Sequence, residues 1–340
     1  MQKVIVTGGT GYIGSHTVVQ LLGEGFEVVI IDNLLNSEAS ALDGIEKITG
    51  QRPLFYQVDL LDYANLQDVL ALHKDAVACI HFASLKAVAE SMERPLWYYR
   101  NNLNGMTNLL EGLRSASVEH VIFSSSASVY GNTTVLPITE ALPARNAVSA
   151  YGISKQVGEE LIDAALVEAC FGSAISLRYF NPIGAHSSAL IGELPKGRPN
   201  NLMPYITQTA AGIRQQLTIF GKDYPTPDGT AVRDYLHVED VATAHVKALM
   251  RLLNGKNEAA HEAFNLGSGN GYSVLEIVQA FERANSIKLN YVFAERRPGD
   301  VAELRADASL AVEKLGWTAQ RSLEDMVRSA WAWERKARGL

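Results

Sequence analysis

Near the start of the chain, the β-branched run Lys3–Thr7 passes straight into Gly8-Gly9-Thr10-Gly11-Tyr12-Ile13-Gly14, and a helix-like segment follows. The spacing fits G-x-G-x-x-G from Gly9 and G-x-x-G-x-x-G from Gly8. Side chains at these positions would keep the backbone away from a pyrophosphate, while the helix behind them offers free N–H groups and a positive dipole. Alone, the motif fits a tight connection equally well. Asp32 adds context, because it ends the next strand-like run at about the 20-residue offset from the turn expected of an acid that binds the adenosine ribose. A carboxylate there accepts hydrogen bonds from both ribose hydroxyls and repels a 2′-phosphate. Asn33 follows where an Arg would serve NADP, so the pattern favours NAD.

The organisation of the chain agrees with such a unit. Up to about residue 125, strand-like runs at Lys3–Thr7, Glu27–Asp32, Leu54–Val58, Ala76–Phe82 and His120–Ser125 alternate with amphipathic stretches such as Ile13–Leu22 and Leu66–His73. That alternation is the mark of βαβ units and a parallel sheet. The helix-like run Ser154–Cys170 and the strand candidate Ala174–Arg178 continue it. A loop rich in Gly, Pro and Asn runs from Pro182 to Pro204, and loops of that length usually hold ligands. Helix-like Val238–Leu253, Val274–Asn285 and Leu323–Lys336 then alternate with strand-like Leu217–Phe220 and Leu289–Phe293. The expected architecture is a Rossmann-like doubly wound parallel α/β sheet with a smaller C-terminal α/β lobe. Residues 1–180 would bind NAD and residues 181–340 mainly the substrate, with some crossing of the chain between lobes.

Composition narrows the partners. A net charge of -7 is the wrong sign for a nucleic-acid or anionic-membrane binder, so an anionic ligand must meet local cations. Cys79 and Cys170 are too few for a disulfide framework or a cysteine-built zinc site. The start carries no long apolar region of a signal peptide, and no stretch reaches the ~20 apolar residues of a membrane span. A cytoplasmic protein without metal is expected. His16, His81 and His237 read as structural, and Trp331 and Trp333 as packing residues.

Two further features carry chemistry. Tyr151 and Lys155 are four apart at the start of a helix-like run and so share a face. An ammonium near a phenol favours the phenolate and makes the tyrosine a candidate general base. The bare pair also fits a solvated helix face. Upstream, Ser124-Ser125-Ser126-Ala127-Ser128-Val129-Tyr130-Gly131 places hydroxyls at the carboxyl end of a central strand, where open α/β sheets bind ligands. The flanking glycines of a nucleophile elbow are missing, so an acyl-transfer serine is not indicated.

Together the glycine turn, Asp32, the serine run and Tyr151/Lys155 resemble the extended short-chain dehydrogenase/reductase family, and within it the branch that inverts carbon 4 of UDP-hexoses. The blocks are GGTGYIGSH from Gly8, Asp32-Asn33-Leu34, FASLKAV from Phe82, Tyr98 to Asn102, Ser124 to Gly131, Tyr151 to Lys155, LRYFNPIGAH from Leu177, PNNLMPY from Pro199 and RDYLHV from Arg233. They span nearly the whole chain.

The resemblance implies roles residue by residue. Tyr151 would be the base, Ser126 would bond the reacting hydroxyl, and Lys155 would bind the nicotinamide ribose while lowering the pKa of Tyr151. NAD would be held by Gly8, Gly11, Tyr12, Ile13, Gly14, Asp32, Asn33, Asp59, Leu60, Phe82, Ala83, Lys86, Asn101, Ser124, Tyr151, Lys155 and Tyr179. The UDP-hexose would meet Lys86, Ser126, Tyr151, Asn181, Asn201, Leu202, Phe220, Arg233, Tyr235, Arg297, Asp300 and Leu304. The implied reaction interconverts UDP-galactose and UDP-glucose through a transient 4-keto sugar, with tightly bound NAD regenerated each turnover. A homodimer packed through helices of the first domain is also implied.

Leu304 stands where relatives carry Tyr or a small residue beside the hexose, which leaves acceptance of N-acetylated sugars open. Ser84 and Val58 replace glycines common in the family. A nucleotide-sugar dehydratase would carry an Asp-Glu pair where this chain has Ala127-Ser128, and a non-catalytic NAD-binding regulator would often lack the Tyr/Lys pair.

Overall fold

Strand, turn and helix follow one another because apolar β-branched runs are punctuated by glycine and by capping side chains. The computed structural model describes residues 1–297 and 300–340. Its first half runs β1 (Lys3–Thr7), α1 (Tyr12–Gly23), β2 (Glu27–Ile31), α2 (Ser40–Thr49), β3 (Leu54–Tyr56), α3 (Tyr63–Ala71), β4 (Ala76–His81), α4 (Val88–Glu93) and α5 (Pro95–Tyr99). A π-turn at Arg100–Asn104 leads into α6 (Gly105–Ser115), β5 (His120–Ser124), α7 (Ala150–Val167) and β6 (Ser173–Tyr179).

The second half comprises β7 (Asn181–Ile183), α8 (Leu202–Ala210), β8 (Leu217–Phe220), β9 (Val232–His237), α9 (Val238–Leu253) and β10 (His261–Leu266). It ends with β11 (Gly271–Ser273), α10 (Val274–Asn285), β12 (Tyr291–Ala294), β13 (Glu303–Leu304), α11 (Ser309–Leu315) and α12 (Leu323–Arg338). Side-chain oxygens start several helices: Ser149 accepts from Gly152 N–H ahead of α7, and Ser273/Glu276 and Ser322/Asp325 form capping boxes.

Seven strands form one parallel sheet in the order β10-β6-β5-β4-β1-β2-β3, with Val4 paired to Val28 on one side and Ala78 on the other. The order reverses at β1, which opens a crevice at the carboxyl edge. One face packs Val4, Val6, Ile30 and Ile80 against Val18 and Leu21 of α1, Leu249 of α9 and Trp317. The other packs Ile5, Val29 and Cys79 against Leu66, Leu109 and Ile162 of α3, α6 and α7. A second core lies among α8, α10, α12, β8 and β9, around Met203, Ile206, Phe281 and Met326.

The sequence boundaries shift in an informative way. Asp32, Val58, Phe82 and Ser125 lie just past their strands. There the chain leaves the sheet, and all but Ser125 line the crevice. Ser149 starts α7 before Ser154 and Asp62 starts α3 before Leu66, because the caps come earlier than the apolar periodicity. The strand expected at Leu289–Phe293 is Tyr291–Ala294.

The chain crosses between the lobes beyond residue 180. After β9, residues 238–266 return to the first sheet, α9 covering α1 and β10 adding its edge strand. His261-Glu262 begins that strand, and Glu262 takes a double hydrogen bond from Arg251 of α9 at 2.7 and 2.9 Å. Polar residues at a sheet edge hid the strand from an apolar pattern.

No helix among the described residues is long and apolar enough to cross a membrane. Because Leu249 is fully buried in the core shared with α1, Leu249→Ala should lower stability by about 2–5 kcal/mol. Denaturant titration should show the one main transition moving. A shift confined to a separate transition would instead mark an independently folding second lobe.

Candidate active site

The crevice is the mouth of a cavity of about 1040 Å³ running from the glycine turn to the C-terminal lobe. At the turn, Gly8 has φ 72° and a Cβ on it would lie 2.7 Å from Ala83 N. A Cβ on Gly14 would lie 2.2 Å from the Gly8 carbonyl oxygen. Only glycine lets the strand end, the β4 loop and α1 meet here. Gly11, the N-cap of α1, brings no side-chain cap, so the first N–H groups of the helix are open to an anion. These features fit a dinucleotide pyrophosphate.

Asp32 is fixed by the glycine turn and its own loop, accepting from Thr10 N at 3.2 Å, Leu34 N at 2.9 Å and Ser37 Oγ at 3.0 Å. Asn33 donates to Asp59 at 2.9 Å, and Asp59 accepts from Leu61 N. Gly8, Gly11, Tyr12, Ile13, Gly14, Asp32, Asn33, Asp59, Leu60, Phe82, Ala83, Lys86 and Asn101 all line this half of the cavity, as do Val58 and Ser84.

At the middle of the cavity, α7 brings Tyr151 and Lys155 against the end of β5. Lys155 is 3% exposed and donates to the Ser124 carbonyl at 2.7 Å, its ammonium 4.9 Å from the Phe123 ring centroid and 5.9 Å from that of Tyr151. Ser124 Oγ and the Tyr179 hydroxyl are hydrogen-bonded. Ser126 caps the turn Ala127–Tyr130, accepting from Ser128 N and Oγ at 3.2 and 2.9 Å. Tyr151, Lys155, Ser124, Ser126 and Tyr179 thus share one wall.

The electrostatics differ from the expectation. Burial pushes the Tyr151 phenol up, and it is Ser126, rather than Lys155, that opposes this. Burial also pulls Lys155 down to about 7, against the pull of Glu159. The ammonium therefore meets its own desolvation cost before it can assist the phenol.

The far half is lined by Asn181, Asn201, Phe220, Arg233, Arg297 and Leu304. The Arg297 guanidinium lies 4.3 Å from the Phe220 ring centroid, and Arg233 is paired with Asp300. Leu304 packs with Val129, Tyr130 and Phe180. Three expected substrate residues are not on the wall. Leu202 and Tyr235 turn into the core of α8, α10 and α12, and Asp300 pairs with Arg233, which is on the wall. Leu202 and Tyr235 stand within two residues of Asn201 and Arg233 on the wall, and a linear motif cannot separate such neighbours from the wall itself.

Sequence reasoning also missed wall residues. Glu193 takes Lys86 at 3.0 Å and Asn201 Nδ2 at 2.7 Å, bridging the two halves. Trp333, expected only to pack, lines the cavity and donates Nε1–H to the Glu193 carbonyl at 2.9 Å. Trp331 does pack, edge-on to Phe281. Ser37, between Asp32 and Thr10, was likewise unmarked. The aperiodic loop 182–204 was the one signal for Glu193. The structural reading of the histidines agrees with their bonds: His16 to Tyr12 O, His81 to Thr7 and His237 to Ser329, all three held down to about 3 by burial. Among the described residues, no group of three or more His, Cys, Asp or Glu could hold a metal ion.

Residues 4–267 match the model of the NAD dependent epimerase/dehydratase family. A UDP-glucose 4-epimerase of Haemophilus influenzae is 50% identical over 98% of this chain and 97% of its own length. The mouse UDP-glucose 4-epimerase is 48% identical over 99% and 97%. Among solved structures, a UDP-glucose-4-epimerase of Stenotrophomonas maltophila with bound NAD and formylated UDP-arabinopyranose superposes with a TM-score of 0.94 at 47% identity, covering 100% of both chains. A Bifidobacterium longum UDP-glucose 4-epimerase in complex with NAD+ and UDP gives 0.92 at 43% identity over 98% of each.

Because a Cβ at Gly14 would collide with the Gly8 carbonyl, Gly14→Ala should open the turn. Thermal melts should then show that added NAD no longer raises Tm. A rise equal to that of the parent would mean that the turn is not the binding element.

Proposed function

Because the chain belongs to the NAD dependent epimerase/dehydratase family, we propose that it interconverts UDP-galactose and UDP-glucose by inverting carbon 4, as a cytoplasmic homodimer. The observation that carries this reading is the single wall on which Tyr151, Ser126 and Lys155 stand, between a dinucleotide cradle and a second lobe bearing Arg233, Arg297 and Phe220. NAD bound in the cradle supplies reversible hydride acceptance at carbon 4, so the sugar passes through a 4-keto form with no net oxidation. Gly8, Gly14 and the start of α1 hold the pyrophosphate, and Asp32 the adenosine ribose.

Tyr151 acts as the base for the carbon 4 hydroxyl. Ser126 bonds that hydroxyl and favours the phenolate. Lys155 supplies an ammonium beside the phenol and would donate to the nicotinamide ribose of bound NAD. Arg233 and Arg297 give a diphosphate two cations within a protein of net charge -7, and Phe220 offers an aromatic face to the base. Firm anchoring of the nucleotide leaves the hexose free to turn over, presenting its other face before the proton returns. Ala127-Ser128 stand where an eliminating enzyme needs an acid, which favours epimerisation over dehydration.

Purified protein given UDP-galactose without added NAD should form UDP-glucose, followed by NMR. Tyr151→Phe should retain bound NAD yet lose about 10²–10⁴-fold in kcat. Full turnover by that variant would overturn the assignment of the base.

The dimer is supported by Met92 and Leu96, apolar side chains left exposed on α4 and α5, both of which pack beside α7. Sedimentation equilibrium should give twice the chain mass of 37.0 kDa, and Leu96→Glu should move it towards the monomer. A parent protein that is wholly monomeric would remove the dimer from the reading.

A further inference from the structure

Behind the reactive wall lies a buried ion pair that touches no part of the cavity. Glu159 follows Lys155 by one turn of α7 and is 7% exposed. Its carboxylate accepts from Arg178 Nε at 2.9 Å and Nη2 at 2.5 Å, and from Ser125 Oγ at 2.6 Å. Ser125 sits between Ser124, whose carbonyl holds Lys155, and Ser126. Arg178 immediately precedes Tyr179 on β6 and donates to the Tyr130 hydroxyl at 2.9 Å, in the turn that Ser126 caps. Tyr130 in turn donates to Asn265 of β10 at 2.8 Å. One carboxylate is thus tied to each element that carries a reactive group.

A buried ion pair is a poor stabiliser, since well-packed apolar residues of similar volume often serve as well or better. Fold stability therefore gives no reason for this pair at this place. Charge does. Around Lys155 stand Tyr151 on its own helix, Tyr179 bonded to the same serine, and His81 of β4, whose imidazole burial keeps neutral. Burial likewise pushes both phenols up. Among these neighbours only Glu159 brings a full negative charge, with Arg178 and Tyr130 on its far side.

We propose that Glu159 is a positioning residue for the epimerisation: its fixed negative charge holds the Lys155 ammonium in place, and its bonds to Ser125 and Arg178 align Ser124, Ser126 and Tyr179 with Tyr151. The inference rests on the roles given to Tyr151, Ser126 and Lys155 above. Without that charge, burial acts on Lys155 unopposed. The amine then loses its proton at lower pH, becoming a weaker donor and giving the phenolate no counter-charge.

The test uses the NAD-loaded enzyme and NMR initial rates with UDP-galactose across the pH range. Glu159→Gln removes the charge and keeps an acceptor for Ser125. The alkaline limb of kcat should begin about one pH unit lower, with kcat about tenfold down on that limb and KM within about twofold, because the nucleotide is bound elsewhere.

Since an unpaired buried guanidinium can itself unfold a protein, the double variant Glu159→Leu/Arg178→Met is made alongside. It should fold and show a limb displaced in the same direction but by less, because the opposing charge of Arg178 leaves with that of Glu159. A limb that stays in place in either folded variant overturns the proposal. Tyr151→Phe run in parallel separates the two levels: retained turnover there overturns the assigned base, whereas a dead Tyr151→Phe with an unmoved Glu159→Gln limb overturns only the role of Glu159.

Discussion

Parallel pairing of β1 with β4, β4 with β5 and β5 with β6 sends every carboxyl end to the same edge of the sheet. Antiparallel neighbours would have put alternate ends on opposite edges. Parallel register requires crossover helices, and those cover both faces, so the strands can be apolar on both sides while polar residues gather where the strands stop. Asp32, Phe82, Ser124 and Tyr179 come from four different strand ends, yet they line one cavity. The glycine turn works only within this arrangement, since its value lies in how closely Gly8 approaches the loop after β4.

On that edge the chemistry is a matter of desolvation. Lys155 and Tyr151 lie in surroundings that disfavour charge on either, one pulled down and the other pushed up. The proposed base and the ammonium beside it, with opposing burial shifts, sit close to the conditions where a proton can move both ways. Their exact balance is set by Ser126 from the front and by the Glu159–Arg178 pair from behind. Glu193 plays a different part. By bonding Lys86 and Asn201 it links the half of the cavity at the glycine turn to the half that carries Arg233 and Arg297.

Much of this was legible in the chain. The glycine spacing, Asp32, the serine run and Tyr151/Lys155 each sit in short contiguous blocks, and their neighbours on the wall were named with them. Leu202 and Tyr235 were drawn in by the blocks PNNLMPY and RDYLHV although their side chains turn into the second core, and Asp300, which lies outside every block, stands one ion pair behind the wall. Residue order gives spacing but not direction. The return of α9 and β10 to the first sheet was hidden for a related reason, because an edge strand beginning His261-Glu262 lacks the apolar run that marks a central one.

The sequence by itself determined the alternation of strands and helices, the glycine turn after β1 and the carboxylate of Asp32 just past β2, because these depend on contacts within a few residues or on the chemistry of single side chains. Only the tertiary structure decided that Glu159 and Arg178 form the charge behind Lys155, that Glu193 spans the cavity and that Trp333 stands on its wall. Apart from the Glu193–Asn201 bond, those contacts join positions 19 to 140 residues apart. No local periodicity encodes them; they exist because the parallel sheet and the returning α9 bring remote segments to one edge, where burial makes each unpaired polar group find a partner.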